Sequence, residues 1–168
     1  MSRTPDLIAT ARTQWAKVYP DLDTSTIEII GRVLRSAAVV RQRLDPALVE
    51  DGLNRAEFDL LCALRRSGAP VTPGRLNELT VSSGAATTKR VQQLTERGLV
   101  ERTTDSRDRR SARIALTDEG RELIDRAFAR NLEAEQQLLS ALAPRRRKAV
   151  TDGLAELLSV LEGPNPLG

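Results

Sequence analysis

The stretch that decides the fold is LVERTTDSRDRRSARIALT, residues 99–117. Its two ends have the Val-, Ile- and Thr-rich composition of short strands. Between them lies a polar turn, residues 105–110, that holds three arginines and no apolar residue. The pattern predicts a β-hairpin with a cationic tip, which is suited to contact with a polyanion.

The segment before this hairpin has the pattern of two short helices joined by a turn. Residues 72–80 begin with a Thr-Pro pair, which is typical of a helix start. Residues 83–97 place Thr87, Val91 and Leu94 on one inward face of a second helix. The order helix, turn, helix, strand, cationic turn, strand predicts a winged helix-turn-helix, and DNA binding becomes the first hypothesis.

The charge distribution supports that hypothesis. Residues 83–113 contain eight basic and four acidic side chains, a net charge of +4, whereas the whole chain carries +3. The remainder is therefore slightly acidic. Local positive charge on a nearly neutral body is expected of a protein that binds nucleic acid.

Candidate DNA contacts lie on the outward face of the second helix and at the hairpin tip. Small residues near the helix start permit close approach to base edges, polar ones can bond bases or phosphates, and a tip arginine can enter the minor groove. An ordinary solvated face would explain the helix pattern alone equally well, but the basic hairpin favours DNA. The candidates are Ser83, Ala85, Ala86, Thr88, Lys89, Gln92, Arg107, Arg109 and Arg110, with Asp108 bracing a neighbouring arginine.

Long amphipathic helices are predicted outside this central part. They span residues 5–18, 25–44 and 117–143, with a last helix that carries Val150, Leu154 and further leucines on one face. Their apolar faces exceed what one small domain can cover, so we expect a two-fold dimer interface, although packing on each other is the simpler alternative. The predicted fold is mainly α with a small β-hairpin wing.

The predicted organisation has four parts. A winged helix-turn-helix DNA-binding domain lies between N-terminal helices for dimerisation and a pocket, and C-terminal dimerisation helices. The boundaries are 1–48, 49–120, 121–163 and a frayed tail at 164–168.

Composition excludes several classes of function. The chain has no histidine, the commonest general base and metal ligand, and Cys62 is its single cysteine. We identify no nucleophile–base pair or phosphate-binding glycine loop, so we expect neither an enzyme nor a metal or cofactor site. No signal peptide or apolar run of membrane-spanning length is apparent, so we expect a cytoplasmic protein without a membrane partner.

The central residues resemble the MarR family of bacterial transcriptional regulators. The family hallmark is a D-x-x-D-R-R wing followed by L-T-x-x-G, matched by Asp105, Asp108, Arg109, Arg110, Leu116, Thr117 and Gly120. The resemblance implies a homodimer, by default a repressor, that places two recognition helices in successive major grooves of a pseudo-palindromic operator. Ser106 and the pair Gln92-Gln93 depart from the common pattern, and the pair leaves open how the recognition helix is braced.

The N-terminal segment QWAKVYPDLDTSTIEIIGRVLR, residues 14–35, resembles the urate-responsive branch of that family, which has an extra first helix. The resemblance implies Trp15, Asp59, Arg90 and Arg102 as ligand-binding residues. A planar anion such as urate, another purine or an aromatic acid would stack on the indole, pair with Arg90 and repel Asp59. The displaced Asp59 would tilt the recognition helix and lower DNA affinity.

The residues themselves leave alternatives open. Asp59 interrupts an apolar helix and lies either at the surface or partly buried and paired, while Arg90 occupies an inward position, so the two could form a structural salt bridge. Cys62 could sense peroxide, or fill the core as a small apolar group. A winged-helix module for protein–protein contact, with no operator of its own, is the alternative function.

Overall fold

The computed structural model describes residues 5–80, 84–104 and 112–163. In this part, the regular elements are helices and one antiparallel hairpin, and the prediction of a mainly α protein with a β wing is confirmed. The elements are α1 (Leu7–Val18), α2 (Ile27–Val49), α3 (Arg55–Ser67), α4 (Pro73–Thr80), α5 (Gly84–Glu96), β1 (Val100–Thr104), β2 (Ala112–Leu116), α6 (Asp118–Leu138) and α7 (Pro144–Glu162).

The chain forms two compact units, Met1–Pro46 and Ala47–Gly168. In the first unit Asp6 caps α1, because its carboxylate accepts hydrogen bonds from the first-turn amides of that helix. The same carboxylate pairs with Arg32 of α2 at 2.9 Å, and Arg12 of α1 pairs with Glu28 at 2.8 Å. The two helices are therefore joined by exposed ion pairs.

Helix α2 is longer than its sequence pattern indicates. The prediction that it ends at residue 44 is wrong, since the helix continues through Pro46 to Val49. Leu44 and Leu48 are 4% and 1% exposed. Burial of these side chains favours the extra turn and offsets the hydrogen bond that proline cannot donate.

The core of the second unit forms around α3. The Asn-x-x-Glu spacing of residues 54–57 is typical of a capping box, and the N-terminus of α3 carries one: the Asn54 side chain accepts from the Glu57 amide, and the Glu57 carboxylate accepts from the Asn54 amide. The helix ends at Gly68, whose φ of 65° is the left-handed conformation that glycine adopts readily. The apolar side chains of α3 face α4, α6 and the hairpin. Among the described core residues, those with no exposed surface are Leu61 and Ala63 of α3, Leu76 of α4 and Leu94 of α5.

The hairpin is held to this core from its inner side. Its strands pair antiparallel from Val100↔Leu116 to Thr104↔Ala112. The Val71 backbone pairs with Ile114 on the opposite side of β2, through bonds of 3.0 and 2.8 Å. The base of the wing is therefore bonded on both edges of β2.

The C-terminal helices leave several large apolar side chains exposed. Helix α6 ends at Leu138 rather than at residue 143, because residues 139–143 form turns with three-residue hydrogen bonds. At about 1.5 Å per residue it measures about 32 Å. Within the described residues, α7 has no buried side chain, and Phe128, Leu154 and Leu158 are about half exposed. No helix in the described ranges is long and apolar enough to cross a membrane.

Candidate nucleic-acid interface

Helix α5 separates a buried face from an exposed one, as its pattern predicts. Thr87, Val91 and Leu94 are buried against the rest of the unit. On the other side Ala85, Thr88, Lys89 and Gln92 are exposed, and Ala86 is half-buried at the border. Ser83 lies outside the described residues. The helix thus presents small and polar side chains together on one accessible surface.

The polar side chains of this surface are partly engaged within the helix. The Thr88 hydroxyl donates to the Gly84 carbonyl at 2.9 Å, and the Gln92 amide donates to the Glu96 carboxylate at 3.0 Å. These bonds fix both side chains along the helix, and the Thr88 hydroxyl oxygen can still accept a hydrogen bond while it donates to Gly84. Among the described residues Lys89 forms no ion pair, so its ammonium group is available for a phosphate.

The wing follows directly from this helix. The five-residue strands β1 and β2 form its base, with Ile114 facing the core at 1% exposure. The tip lies outside the described residues, and with it the predicted contacts Arg107, Asp108, Arg109 and Arg110. What the structure establishes is that the hairpin begins four residues after α5 ends.

The second half of the hallmark pattern, L-T-x-x-G, joins the wing to α6. Thr117 caps α6 by accepting from the Gly120 amide at 3.0 Å, and its hydroxyl donates to the Gly98 carbonyl at 2.7 Å. Gly120 packs directly against the Leu99 carbonyl, where a Cβ would lie only 2.9 Å from the carbonyl carbon. Close backbone approach explains why this position needs glycine.

The predicted ligand-binding residues lie on four different elements. Trp15 is half exposed on α1 and stacks on Tyr19, with ring centroids 5.8 Å apart. Asp59 is exposed on α3, which selects the surface alternative over the partly buried one. Arg90 is half-buried on α5, and Arg102 is exposed on β1. Trp15 belongs to the first compact unit and the other three to the second.

A cavity that sequence reasoning missed lies between α3 and α6. Its volume is about 150 Å³, and its lining residues are Cys62, Arg65, Arg66, Ile124, Asp125 and Phe128. Arg65 binds Asp125 through two bonds of 2.7 and 3.0 Å, which lowers the pKa of that carboxyl below 3.8. Arg66 contributes a second cation. The site forms only where two helices that are far apart in the sequence pack together, so no local sequence pattern predicts it.

Cys62 forms part of the cavity wall but has the character of a core residue. It is 8% exposed, and desolvation by burial raises the pKa of its thiol to about 11. A thiol of this kind is almost entirely protonated near neutral pH, and the protonated form is a poor nucleophile. The structure therefore favours the core interpretation over the redox sensor. Over the described ranges, no group of three or more Cys, Asp or Glu side chains could hold a metal ion.

Comparison with known proteins identifies the family. Residues 51–111 match the profile of the MarR family. The chain is also 33% identical, over 136 residues, to the HTH-type transcriptional regulator PecS of Dickeya dadantii. The aligned segment covers 80% of this chain and 82% of PecS. The chain belongs to the MarR family. It is a winged-helix, DNA-binding transcriptional regulator rather than an enzyme.

Solved structures of MarR-type regulators have the same architecture. CouR of Rhodococcus jostii, crystallised with p-coumaroyl-CoA, is 28% identical with a TM-score of 0.68, covering 83% of this chain and 96% of CouR. A mutant of MarR from E. coli, complexed with operator DNA, has a TM-score of 0.70 at 21% identity, covering 92% and 99% of the two chains. At that identity the second likeness concerns the fold alone.

Proposed function

We propose that this MarR-family chain is a repressor that binds a pseudo-palindromic operator as a homodimer in the cytoplasm. The observation that carries the proposal is the two-sided α5, with Thr87, Val91 and Leu94 buried and a continuous polar face exposed beside the wing. The residues proposed to approach base edges and phosphates in the major groove are Ser83, Ala85, Ala86, Thr88, Lys89 and Gln92. Arg109 or Arg110 would reach the minor groove, Asp108 would brace a neighbouring arginine, and Arg107 would add a further DNA contact.

The apolar faces of the terminal helices support a homodimer. In the second unit Phe128, Leu154 and Leu158 are between 51% and 53% exposed, and Leu161 is 66% exposed. In the first unit Ile29 and Leu34 are 58% and 66% exposed. Exposed apolar surface of this extent marks a protein contact, and two-fold pairing is the commonest solution.

A small planar anion, with urate as the first candidate, would release the operator. The Trp15–Tyr19 stack offers an exposed aromatic surface, and Arg90 and Arg102 supply cations on α5 and β1. Within the second unit, the cavity between α3 and α6 combines an apolar wall with the Arg66 guanidinium. CouR, of similar fold, was crystallised with an aromatic acyl-CoA, which is consistent with effector binding by this architecture.

The operator proposal is tested with a duplex enriched from random sequence by repeated binding and amplification. We expect a palindromic consensus, two protected half-sites about one helical turn apart in hydroxyl-radical footprints, and two chains per duplex by sedimentation. A single protected half-site with one chain bound would contradict the homodimer. Failure to enrich any sequence would instead favour the protein–protein module.

The effector proposal is tested on the same duplex by titrating urate, other purines and aromatic acids. Urate should weaken operator binding and raise the melting temperature of the free protein, since a ligand stabilises the state that it prefers. Asp59→Asn should bind the operator normally and respond less to urate. If neither DNA affinity nor melting temperature changes at millimolar urate, the urate assignment is wrong.

A further inference from the structure

Arg97, which directly follows α5, is bound to the protein rather than free for DNA. Its guanidinium donates to the Glu57 carboxylate at 3.1 Å and to the Gly52 carbonyl at 2.9 Å. The Glu57 side chain is 10% exposed, and its other oxygen caps α3 by accepting from the Asn54 amide. The end of α5 is therefore tied to the turn that precedes α3.

That same turn is bound to α6. The Asp51 side chain is 4% exposed, and its carboxylate oxygens lie 3.6 Å from the Arg126 guanidinium and 3.3 Å from that of Arg130. Arg130 also pairs with Glu50 at 3.2 Å. Asp51 Oδ2 accepts no hydrogen bond from the described residues, so the neighbouring cations are what offset the burial of this carboxylate. Moving the middle of α6 away from the turn would leave the buried charge unpaired, which is costly.

A third connection joins α6 to the end of α5. The first turn of α6 is bonded to the end of α5, because Thr117 donates its hydroxyl to the Gly98 carbonyl at 2.7 Å and its amide to the Leu99 carbonyl at 3.2 Å. The end of α5, the turn at residues 50–53 and α6 are thus linked pairwise. We call this arrangement the brace and define it by Arg97, Glu57, Asp51, Arg130 and Thr117.

We propose that the brace sets the angle of α5 in the DNA groove, with Arg97 and Asp51 as its positioning residues. Two of its sides are hydrogen bonds, and the third is the ion pairing of the buried Asp51 carboxylate with Arg126 and Arg130. Movement of α6 is therefore coupled to the end of α5 as long as these contacts persist. This inference rests on the proposed function, in which α5 recognises DNA. It assigns Arg97 to the Glu57 carboxylate of its own chain and not to a DNA phosphate.

The salt dependence of binding separates a positioning residue from a phosphate contact. Arg97→Gln should weaken binding to the selected operator by about tenfold, the effect of losing a charge-assisted hydrogen bond. Its affinity for a random duplex and the slope of log affinity against log salt should stay unchanged, because no phosphate contact is lost. Lys89→Gln should weaken both duplexes and reduce the slope, and Lys148→Gln, on α7, should change neither.

A slope that falls for Arg97→Gln as it does for Lys89→Gln would make Arg97 a phosphate contact and overturn the proposal. Unchanged operator affinity would overturn it too. If Lys89→Gln has no effect, the proposal that α5 contacts DNA is wrong, and the inference about Arg97 is wrong with it. Should Arg97→Gln unfold, Arg97→Lys provides the measurement. An ammonium group can pair with Glu57 but not span both acceptors, so it should restore part of the operator affinity.

Coupling through the brace is tested by combining variants. Asp51→Asn alone should also lower operator affinity without changing the salt slope. With Arg97→Gln already present it should have clearly less effect, because the connection is broken at one side. Additive effects of the two substitutions would show that the turn does not link α6 to α5, and would refute the brace.

Discussion

Gly120→Ala is the sharpest test of how the wing is joined to α6. An added Cβ would overlap the Leu99 carbonyl oxygen and lie 2.9 Å from its carbon and 3.3 Å from its Cα. These atoms belong to the backbone and cannot rotate away, so the wing base or the first turn of α6 must shift. Overpacking of this kind lowers the free energy of unfolding by about 3 kcal/mol, and the higher helix propensity of alanine raises it by about 1 kcal/mol. We therefore expect a net loss of about 2 kcal/mol, measured by urea unfolding.

Gly153→Ala is the matched control. Gly153 lies inside α7, and a Cβ there would meet no atom within 4 Å. The same substitution should therefore stabilise the protein by up to about 1 kcal/mol. Operator affinity should fall for Gly120→Ala and stay unchanged for Gly153→Ala. If both variants gain stability equally, the close approach at Leu99 does not constrain the fold and the reasoning is refuted.

Three further predictions follow from the second unit. Asn54→Ala removes the side-chain acceptor of the α3 capping box and should cost about 1 kcal/mol in urea unfolding; unchanged stability would contradict the cap. Since burial raises the pKa of the Cys62 thiol to about 11, iodoacetamide should modify it slowly at neutral pH and faster as pH rises, and peroxide should leave operator binding unchanged. Rapid modification at neutral pH would contradict its burial. Arg65 lowers the pKa of Asp125 below 3.8, so this pair stabilises the fold above that pH and loses its effect as pH falls through the lowered pKa. The stability difference between wild type and Asp125→Asn should thus be constant near neutral pH and shrink on acidification through the lowered pKa of this carboxyl; a difference that grows on acidification would contradict the pairing.

The sequence predicts well those features that depend on neighbouring residues. Helix periodicity identifies the buried face of α5, and the spacing of Asn54 and Glu57 identifies the α3 cap, because both depend on positions three or four residues apart. The strand composition around the basic turn predicts the hairpin. In each case the interaction that forms the element is encoded within the element.

Features that depend on tertiary packing are not predicted. Proline 46 signals a helix end locally, yet burial of Leu48 carries α2 past it. The partners Arg97 and Glu57 lie 40 residues apart in the chain, and no periodicity connects them. The cavity between α3 and α6 has the same origin. The exposure of Asp59 depends on the rotation of α3 in the fold, so the sequence left two alternatives and the structure selects one.

The claim that α5 contacts operator DNA is tested most directly by the salt dependence of operator binding. Affinity of the wild-type protein for the selected duplex should fall linearly on a log–log plot as salt rises. Lys89→Gln removes one phosphate contact from each protomer, so it should reduce the slope by about two for a bound dimer. A slope that is the same with and without the Lys89 ammonium group would contradict the placement of α5 on DNA.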